Sequence, residues 1–117
     1  MTLRHLFVVG PMLGAAVLLA GCAATAPAEP VATDQVDMPP SYKFVPEVIT
    51  VVDGTTVTWT NHDNFTHSVR LLDDGGAVMN VSPGDSVTYT FTGVGEHHYD
   101  CSYHPHDMSG IVVVTAS

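Results

Sequence analysis

Apolar and polar residues alternate along most of the second half of the chain, which is the two-residue period of a half-buried β-strand. The alternation is cleanest over residues 55–60, where Val57 and Trp59 face one side and threonines face the other, and over residues 86–91. From Ser41 onward no stretch shows the 3.6-residue period of an amphipathic helix. The pattern therefore predicts an all-β domain.

Clusters of turn-forming residues divide this region into short strands. The clusters combine Gly, Pro, Asp and Ser, and they stand at residues 53–54, 73–76, 82–85 and 92–95. The predicted strands are residues 42–45, 48–52, 55–60, 67–72, 77–81, 86–91, 96–101 and 111–115. Short strands at this spacing, with turns between them, are typical of a β-sandwich or a barrel.

The beginning of the chain has the features of an export signal. Arg4 provides a positive region, an apolar stretch follows from Leu6 to Leu19, and small residues come after it. This stretch is about 14 residues long and therefore shorter than the 20 or so that cross a bilayer. It ends in Leu19-Ala20-Gly21-Cys22, which matches the lipobox of bacterial lipoproteins, so we predict that Cys22 is acylated and begins the mature protein. The alternatives are an ordinary secretory signal with a chance cysteine, or a membrane-spanning helix.

The segment between the signal and the first predicted strand has a different composition. Residues 23–40 are rich in Ala, Pro, Thr and acidic residues and have no apolar period, which predicts a disordered tether. The alternative is that its last few residues form a strand on the domain. The predicted organisation is therefore a signal peptide at 1–21, a lipidated cysteine and linker at 22–40, and a folded domain at 41–117.

The charge of the mature chain limits the classes of partner. Once Arg4 is removed with the signal, twelve acidic residues stand against two basic ones, Lys43 and Arg70, so the net charge is about −10. Nucleic acid is excluded because phosphate binding needs Lys and Arg. Such a surface favours partners with basic docking patches.

Three potential metal donors occur within eight residues, directly before an apolar strand. Cys101 brings a thiolate, His104 an imidazole and Met108 a thioether, and this soft donor set is the one that copper prefers. His67 is placed to add a second imidazole, which would complete a His₂Cys site with a weak axial Met. Taken singly, each residue has a simpler interpretation: a lone cysteine is usually structural, and a lone methionine usually packs in the core. The combination and its spacing favour copper.

The cysteine count supports this interpretation. The chain has two cysteines, and acylation of Cys22 would leave Cys101 without a disulfide partner. A single thiol is unusual in an exported domain, because the compartment is oxidising. Binding to a metal would protect it.

Residues 42–116 resemble the cupredoxins, the small blue copper proteins that include plastocyanin, amicyanin, pseudoazurin and halocyanin. The matching segments are Val48-Ile49-Thr50-Val51, residues 53–61, His67-Ser68-Val69 and residues 99–114. The resemblance implies a Greek-key β-sandwich of seven to eight strands with one copper ion at one end. By match to the family motif, the copper ligands are His67, Cys101, His104 and Met108.

The resemblance also implies a role for each ligand. Cys101 binds as thiolate, the two histidines bind as neutral imidazoles, and Met108 is the long axial ligand that helps to set the potential. Asn61 is expected to link the ligand loops by hydrogen bonds. Three residues separate His104 from Met108, whereas the family usually has two or four. Many members also have Asn where this chain has Ser68.

Four further histidines are expected to lie at the surface rather than at the copper. His106 stands in a loop, His62 has Asp63 beside it, and His97 and His98 alternate on one strand, so at most one of these two points inward. A weak, adventitious metal site at some of them is the alternative.

The function implied is one-electron transfer between Cu(I) and Cu(II), by a monomer anchored outside the cytoplasm through its lipid and serving redox protein partners. The electron is expected to pass at the exposed edge of His104, with Tyr103 and Pro105 forming part of the contact. We expect no enzyme activity, because a copper with all positions filled has no open site for substrate. The alternatives are a copper carrier or storage protein, and a small redox enzyme in which Met108 is displaced.

Overall fold

The computed structural model describes Gly14 and residues 28–117, and every structural statement below refers to these residues. Cys22 and nearly all of the predicted signal lie outside them. The described residues form nine strands and no helix, which confirms the all-β prediction. No helix among them is long and apolar enough to cross a membrane. The strands are β1 (Val31–Ala32), β2 (Gln35–Met38), β3 (Val48–Val52), β4 (Thr56–Asn61), β5 (His67–Leu71), β6 (Ala77–Val81), β7 (Ser86–Thr90), β8 (Gly95–Asp100) and β9 (Ser109–Thr115).

The strands form a sandwich of two sheets. The larger sheet has the order β1-β3-β9-β8-β5-β6, and the smaller sheet has the order β2-β4-β7. β1, β3 and β9 are mutually parallel neighbours, whereas the other pairs of the larger sheet are antiparallel. β5 begins, β8 ends and β9 begins at the same end of the sandwich. The loops that carry all four predicted ligands therefore meet there.

Two predictions for the N-terminal region are wrong. Residues 42–45 form no strand, and only Val45 makes an isolated bridge, to Asp37. β1 and β2 lie instead within the predicted disordered linker at 23–40, and the count of nine strands is therefore above the predicted seven to eight. β2 pairs in parallel with β4 and buries Val36 and Met38 in the core. The alternative, that the end of this segment joins the domain, is the one that the structure shows.

The core forms where the inward faces of both sheets meet. Val57 and Trp59 are fully buried, as their alternation on β4 predicted. The Trp59 ring packs against Tyr99 of β8, with centroids 5.3 Å apart, and lies 6.0 Å from Phe91. Because aromatic side chains bury a large apolar surface, the contact of Trp59 with Tyr99 helps to hold the two sheets together.

Tyr99 makes an unusually close contact beside the ligand loop. It lies opposite Gly110 in the β8–β9 pair, and its ring covers the glycine. A β-carbon at Gly110 would overlap the ring and hydroxyl of Tyr99. The first residues of β9 can therefore approach β8 only because one of them has no side chain.

We expect Gly110→Ala to lower the free energy of unfolding by about 1–3 kcal/mol, the usual cost of forcing extra atoms into a packed core. Chemical denaturation of the metal-free protein measures this change. Ser109→Ala, at the exposed neighbouring position, is the matched control and should change stability little. Equal stability of the two variants would show that the Tyr99 ring moves aside without cost.

Candidate metal centre

The β8–β9 loop is closed by its own backbone hydrogen bonds. The Cys101 amide donates to the carbonyl of Met108 at 3.0 Å, and the amides of His104 and Met108 donate to the carbonyls of Cys101 and His104, both at 3.0 Å. Cys101 and Met108 are fully buried, whereas His104 is half-buried. The loop therefore holds three of the predicted ligands in one compact turn, with both sulfur atoms facing inward.

The Cys101 sulfur lies directly beside the imidazole of His67. Its Sγ is 3.9 Å from Nδ1 of His67, which is also fully buried. The backbone amide of Ser68 donates to the same sulfur at 3.4 Å, and the Ser68 hydroxyl lies 3.8 Å from it. No disulfide involves Cys101 within residues 28–117. These contacts join the start of β5 to the end of β8 through the sulfur.

Ser68 also connects the two ligand-bearing segments on its other side. Its hydroxyl lies 2.7 Å from that of Ser102 and accepts a hydrogen bond from the Ser102 amide at 2.8 Å. A short hydroxyl side chain is well suited to this position, since it bonds to the loop while its own backbone amide faces the sulfur. The small residue that departs from the common family pattern therefore has a structural role.

A buried carboxylate fixes the orientation of the His67 ring. Oδ2 of Asp63 is 2.8 Å from Nε2 of His67, so Nε2 donates to the carboxylate and Nδ1 faces Cys101. This hydrogen bond is the main reason that the pKa of Asp63 lies below its usual value. An ionised carboxylate on the outer nitrogen makes an imidazole a stronger donor at its other nitrogen. Asp63 thus positions a predicted ligand and fixes which of its two nitrogens faces Cys101.

Asn61 holds the Asp63 loop in place. Its side-chain amide donates to the carbonyls of Phe65 and Val81, at 2.8 and 2.9 Å. Its Oδ1 accepts from the Asp63 amide at 2.9 Å. Asn61 therefore joins the β4–β5 loop to the end of β6, whereas the expected bonds from Asn61 to the β8–β9 loop are not seen among the described residues.

An aromatic cluster covers the two histidines. The ring of Tyr42 meets that of His104 edge-on, with centroids 4.6 Å apart, and lies 5.8 Å from His67. Phe65 stacks on Tyr42 at 6.4 Å. Tyr42 has a backbone φ of 53°, an uncommon conformation for a residue with a side chain. This conformation occurs at the point where the chain places an aromatic ring on both imidazoles.

The donor set fits copper, although the four predicted ligands are not equally close. Cys101 and His67 are in contact, and the His104 ring centroid lies 6.0 Å from that of His67. Within residues 28–117 no three His, Cys, Asp or Glu side chains converge closely enough to hold a metal ion. Metal bonds to imidazole and thiolate of about 2.0–2.3 Å add up to more than the 3.9 Å gap between Cys101 and His67, so one ion can reach both atoms. Two sulfur donors and imidazole suit copper rather than a hard cation.

The other histidines of the described domain lie away from the predicted ligands or at the surface, and three of them have partners of their own. His62 and His98 are exposed and lie near carboxylates, at 3.1 Å from Asp37 and 3.4 Å from Glu96. His97 is half-buried, and its Nε2 is 2.7 Å from the carbonyl of Gly93. His106 is exposed in the ligand loop. Their placement agrees with the expectation of surface histidines, and only His97 of the β8 pair points inward.

Asp63 and Tyr42 are site residues that the sequence analysis missed. Asp63 belongs to the run Asn61-His62-Asp63-Asn64, and such Asn- and Asp-rich runs fold back through side-chain bonds to nearby amides. That turn chemistry was the available signal for a carboxylate close to His67. Tyr42 gave no signal, because its contact with His104 joins positions far apart in sequence.

Comparison with known proteins identifies similar sequences and structures. A family model for a cupredoxin-like domain matches residues 12–114. Chloroplastic plastocyanin from Tetradesmus obliquus is 34% identical over 80 residues, which is 59% of this chain and 54% of the relative. Chloroplastic plastocyanin from Chlamydomonas reinhardtii is 28% identical over 82 residues, which is 60% of this chain and 54% of the relative. The chain thus spans about half the length of these curated relatives.

Solved structures show the same sandwich. A purple cupredoxin from Nitrosopumilus maritimus superimposes with a TM-score of 0.61 at 30% identity, covering 69% of this chain and 98% of that chain. A reduced amicyanin variant superimposes with a TM-score of 0.62 at 30% identity, and the match covers 72% of this chain and 82% of that chain. An amicyanin variant with Cu(I) superimposes with a TM-score of 0.61 at 30% identity, and the match covers 69% of this chain and 80% of that chain.

We expect Asp63→Asn to weaken Cu(II) binding by about 10–100-fold, because partners of metal-binding histidines usually have effects of this size. The amide keeps the shape of the side chain but removes its charge. Competition with a chelator measures the affinity. Asp107→Asn is the matched control, since it makes the same change at an exposed position of the ligand loop. Equal losses in both variants would attribute the effect to overall charge and not to His67.

Proposed function

The chain belongs to the cupredoxin family, and from this we propose that it is a type 1 blue copper protein that transfers single electrons. The observation that carries the proposal is the buried Cys101 sulfur, which lies 3.9 Å from Nδ1 of His67 at the end of the sandwich where the loops meet. In this proposal His67, Cys101, His104 and Met108 hold one copper ion. The ion supplies a one-electron couple between Cu(I) and Cu(II).

The protein's contribution is to hold the donors in one arrangement. Asp63 orients His67, Ser68 donates to the sulfur of Cys101, and the loop hydrogen bonds join Met108 to Cys101. Burial of the sulfur atoms keeps water away from them. Preorganised, desolvated groups need little rearrangement when charge changes. This supports electron transfer, which is fast only when little has to move.

Electron exchange is proposed to take place at the half-buried His104. Its neighbours Tyr42, Phe65 and Tyr103 are all exposed, so Tyr42 and Phe65 extend the contact predicted around Tyr103 and Pro105. A net charge near −10 favours redox partners with basic patches. We further propose that the protein acts as a monomer and is not an enzyme.

The structure offers less support for copper storage or delivery. A carrier has to release its metal to another protein, which requires accessible donors. Cys101, Met108 and Met38 are fully buried, so none of these sulfur atoms is accessible to a second protein. A redox enzyme would need Met108 displaced, and the backbone of Met108 is bonded at both its amide and its carbonyl.

The protein is also proposed to be lipid-anchored outside the cytoplasm. The support is the run Leu19-Ala20-Gly21-Cys22 after a short apolar stretch. The buried thiol of Cys101 has no disulfide partner within residues 28–117, and this agrees with export because metal binding would protect it in an oxidising compartment.

Addition of Cu(II) to the purified protein should produce a strong visible charge-transfer band from the thiolate of Cys101. Cys101→Ala should abolish the band, because the donor of the transition is removed. His106→Ala changes an exposed imidazole in the same loop and should keep it. A colourless copper complex of the unmutated protein would contradict the proposed blue copper site.

Cys22→Ser should move the protein from the membrane fraction to the soluble fraction. Two or three acyl chains bind a membrane far more firmly than one, and the variant has none. Fractionation and mass spectrometry of the N-terminus measure the change, and the copper band serves as the control for folding. Firm retention of the variant in the membrane would show that the anchor is a different feature.

A further inference from the structure

Ser68 is buried at a position that the strand directs away from the core. Val69 and Leu71 of β5 are core residues. Because side chains alternate along a strand, Ser68 and Arg70 lie on the outer face of the larger sheet. Arg70 is partly exposed there, whereas Ser68 is 0% exposed. A hydroxyl group on the outer face of a sheet is fully buried only when another group covers it.

Tyr103 is the large side chain that reaches across this position. Its hydroxyl donates to Oδ1 of Asn80 on β6 at 3.1 Å. In the larger sheet β5 lies between β8 and β6, and Asn80 is the direct cross-strand partner of Ser68. Tyr103 stands just after the end of β8, so a side chain that bonds to β6 passes over the beginning of β5. The ring is 52% exposed, which agrees with one face in solvent and the other face on the protein.

The hydroxyl groups beneath this ring lie next to the sulfur of Cys101. The hydroxyls of Ser68 and Ser102 are 2.7 Å apart. The Ser68 hydroxyl is 3.8 Å from Sγ of Cys101, and its amide donates to the same atom at 3.4 Å. The order from the outside inward is therefore the Tyr103 ring, the two hydroxyls and the sulfur.

Different residues cover the opposite side of the sulfur. His67 lies 3.9 Å from Sγ, and the ring of Tyr42 packs on both His67 and His104. These side chains are predicted ligands or contact them directly. A change at Tyr103 therefore opens the outer side without removing a predicted ligand or the ring that packs on two of them.

The thiol of Cys101 depends on burial for its protection whenever no metal is bound to it. It has no disulfide partner within residues 28–117. The reactivity of a cysteine toward oxidants and alkylating agents follows its thiolate character and its exposure. A side chain that closes the outer side of the sulfur therefore controls how long the metal-free protein keeps a thiol that can still bind copper.

We propose that Tyr103 is a strap across the outer side of the candidate metal centre. Its ring shields the Cys101 sulfur from water and from thiol-reactive molecules, and its hydrogen bond to Asn80 holds the ligand loop against β6. Tyr103 is thus a positioning residue and not a ligand. The inference goes beyond the proposed electron transfer, because it concerns the metal-free thiol and is tested without copper.

The test measures the rate at which iodoacetamide alkylates Cys101 in the metal-free protein. The Cys22→Ser background leaves Cys101 as the single thiol of the chain. We expect Tyr103→Ala to raise the rate at least about tenfold, because it removes the ring and the hydrogen bond together. Tyr103→Phe keeps the ring and should raise the rate by a smaller factor of about two to ten, the usual effect of one hydrogen bond on an opening equilibrium.

The hydrogen bond can be tested by a double-mutant cycle. Asn80→Ala removes the acceptor and should raise the rate by the same factor as Tyr103→Phe. The combination of the two substitutions should add nothing further, because both remove the same bond. A further increase in the double variant would show that the two side chains act separately and would overturn this part of the proposal.

Two matched variants control for loosening of the surroundings. His106→Ala truncates an exposed ring in the same loop, and Val78→Ala shortens an exposed side chain on the same face of β6 as Asn80. Both should leave the alkylation rate unchanged. A bulky maleimide should gain less than iodoacetamide in Tyr103→Ala, because a narrow opening admits the smaller reagent first.

Low concentrations of urea separate a lost cover from lost stability. Alkylation through global unfolding accelerates steeply with urea, because unfolding exposes a large surface, whereas a local opening responds little. We expect the additional rate in Tyr103→Ala to be nearly independent of urea.

Four results would overturn the strap. An unchanged rate in Tyr103→Ala would show that the ring does not shield the sulfur. An equal increase in His106→Ala would assign the effect to general loosening of the loop. An increase that follows global unfolding in urea would assign it to stability, and an equal gain with both reagents would assign it to the thiolate itself. The copper band of each variant, recorded separately, reports on the proposed function.

Discussion

The contact between the Cys101 sulfur and the imidazole of His67 is the interaction on which the candidate site depends. It joins the end of β8 to the beginning of β5, two strands that share only a short stretch of pairing. A thiol and an imidazole buried together need partners, and the structure provides them from each side. Ser68 donates to the sulfur, and Asp63 accepts from the outer ring nitrogen. Removing either partner would leave a polar group buried without compensation.

The sandwich makes this contact possible by fixing the positions of the loops. The Trp59 and Tyr99 cluster holds the two sheets together, and Tyr99 extends over Gly110 at the start of β9. Asn61 then bonds the β4–β5 loop to β6. The donor groups are therefore held in place by contacts of the flanking strands and not by the loops alone. Such rigidity is what a centre needs in order to gain and lose an electron with little rearrangement.

The N-terminal strands join the segment before the domain to both sheets of the sandwich. β2 buries Val36 and Met38 in the core, and β1 forms the edge of the larger sheet beside β3. The exposed rings of Tyr42, Phe65 and Tyr103 distinguish the end of the domain that carries His104 from the opposite end.

The sequence by itself determined the all-β class and the strand pattern from Val48 onward, because alternation is a local property. It also predicted four copper ligands, three of them from the spacing of the donors within residues 101–108. Its strand boundaries from Val48 onward agree with the structure to within two residues. It missed β2, since four residues with two apolar side chains carry too weak a period to be recognised without β4 beside them. Only the tertiary structure decided that Asp63 reaches His67, that Ser68 bonds to Cys101 and that Tyr42 covers His104. Those contacts depend on how loops from different strands are brought together, and this depends on the packing of the whole sandwich.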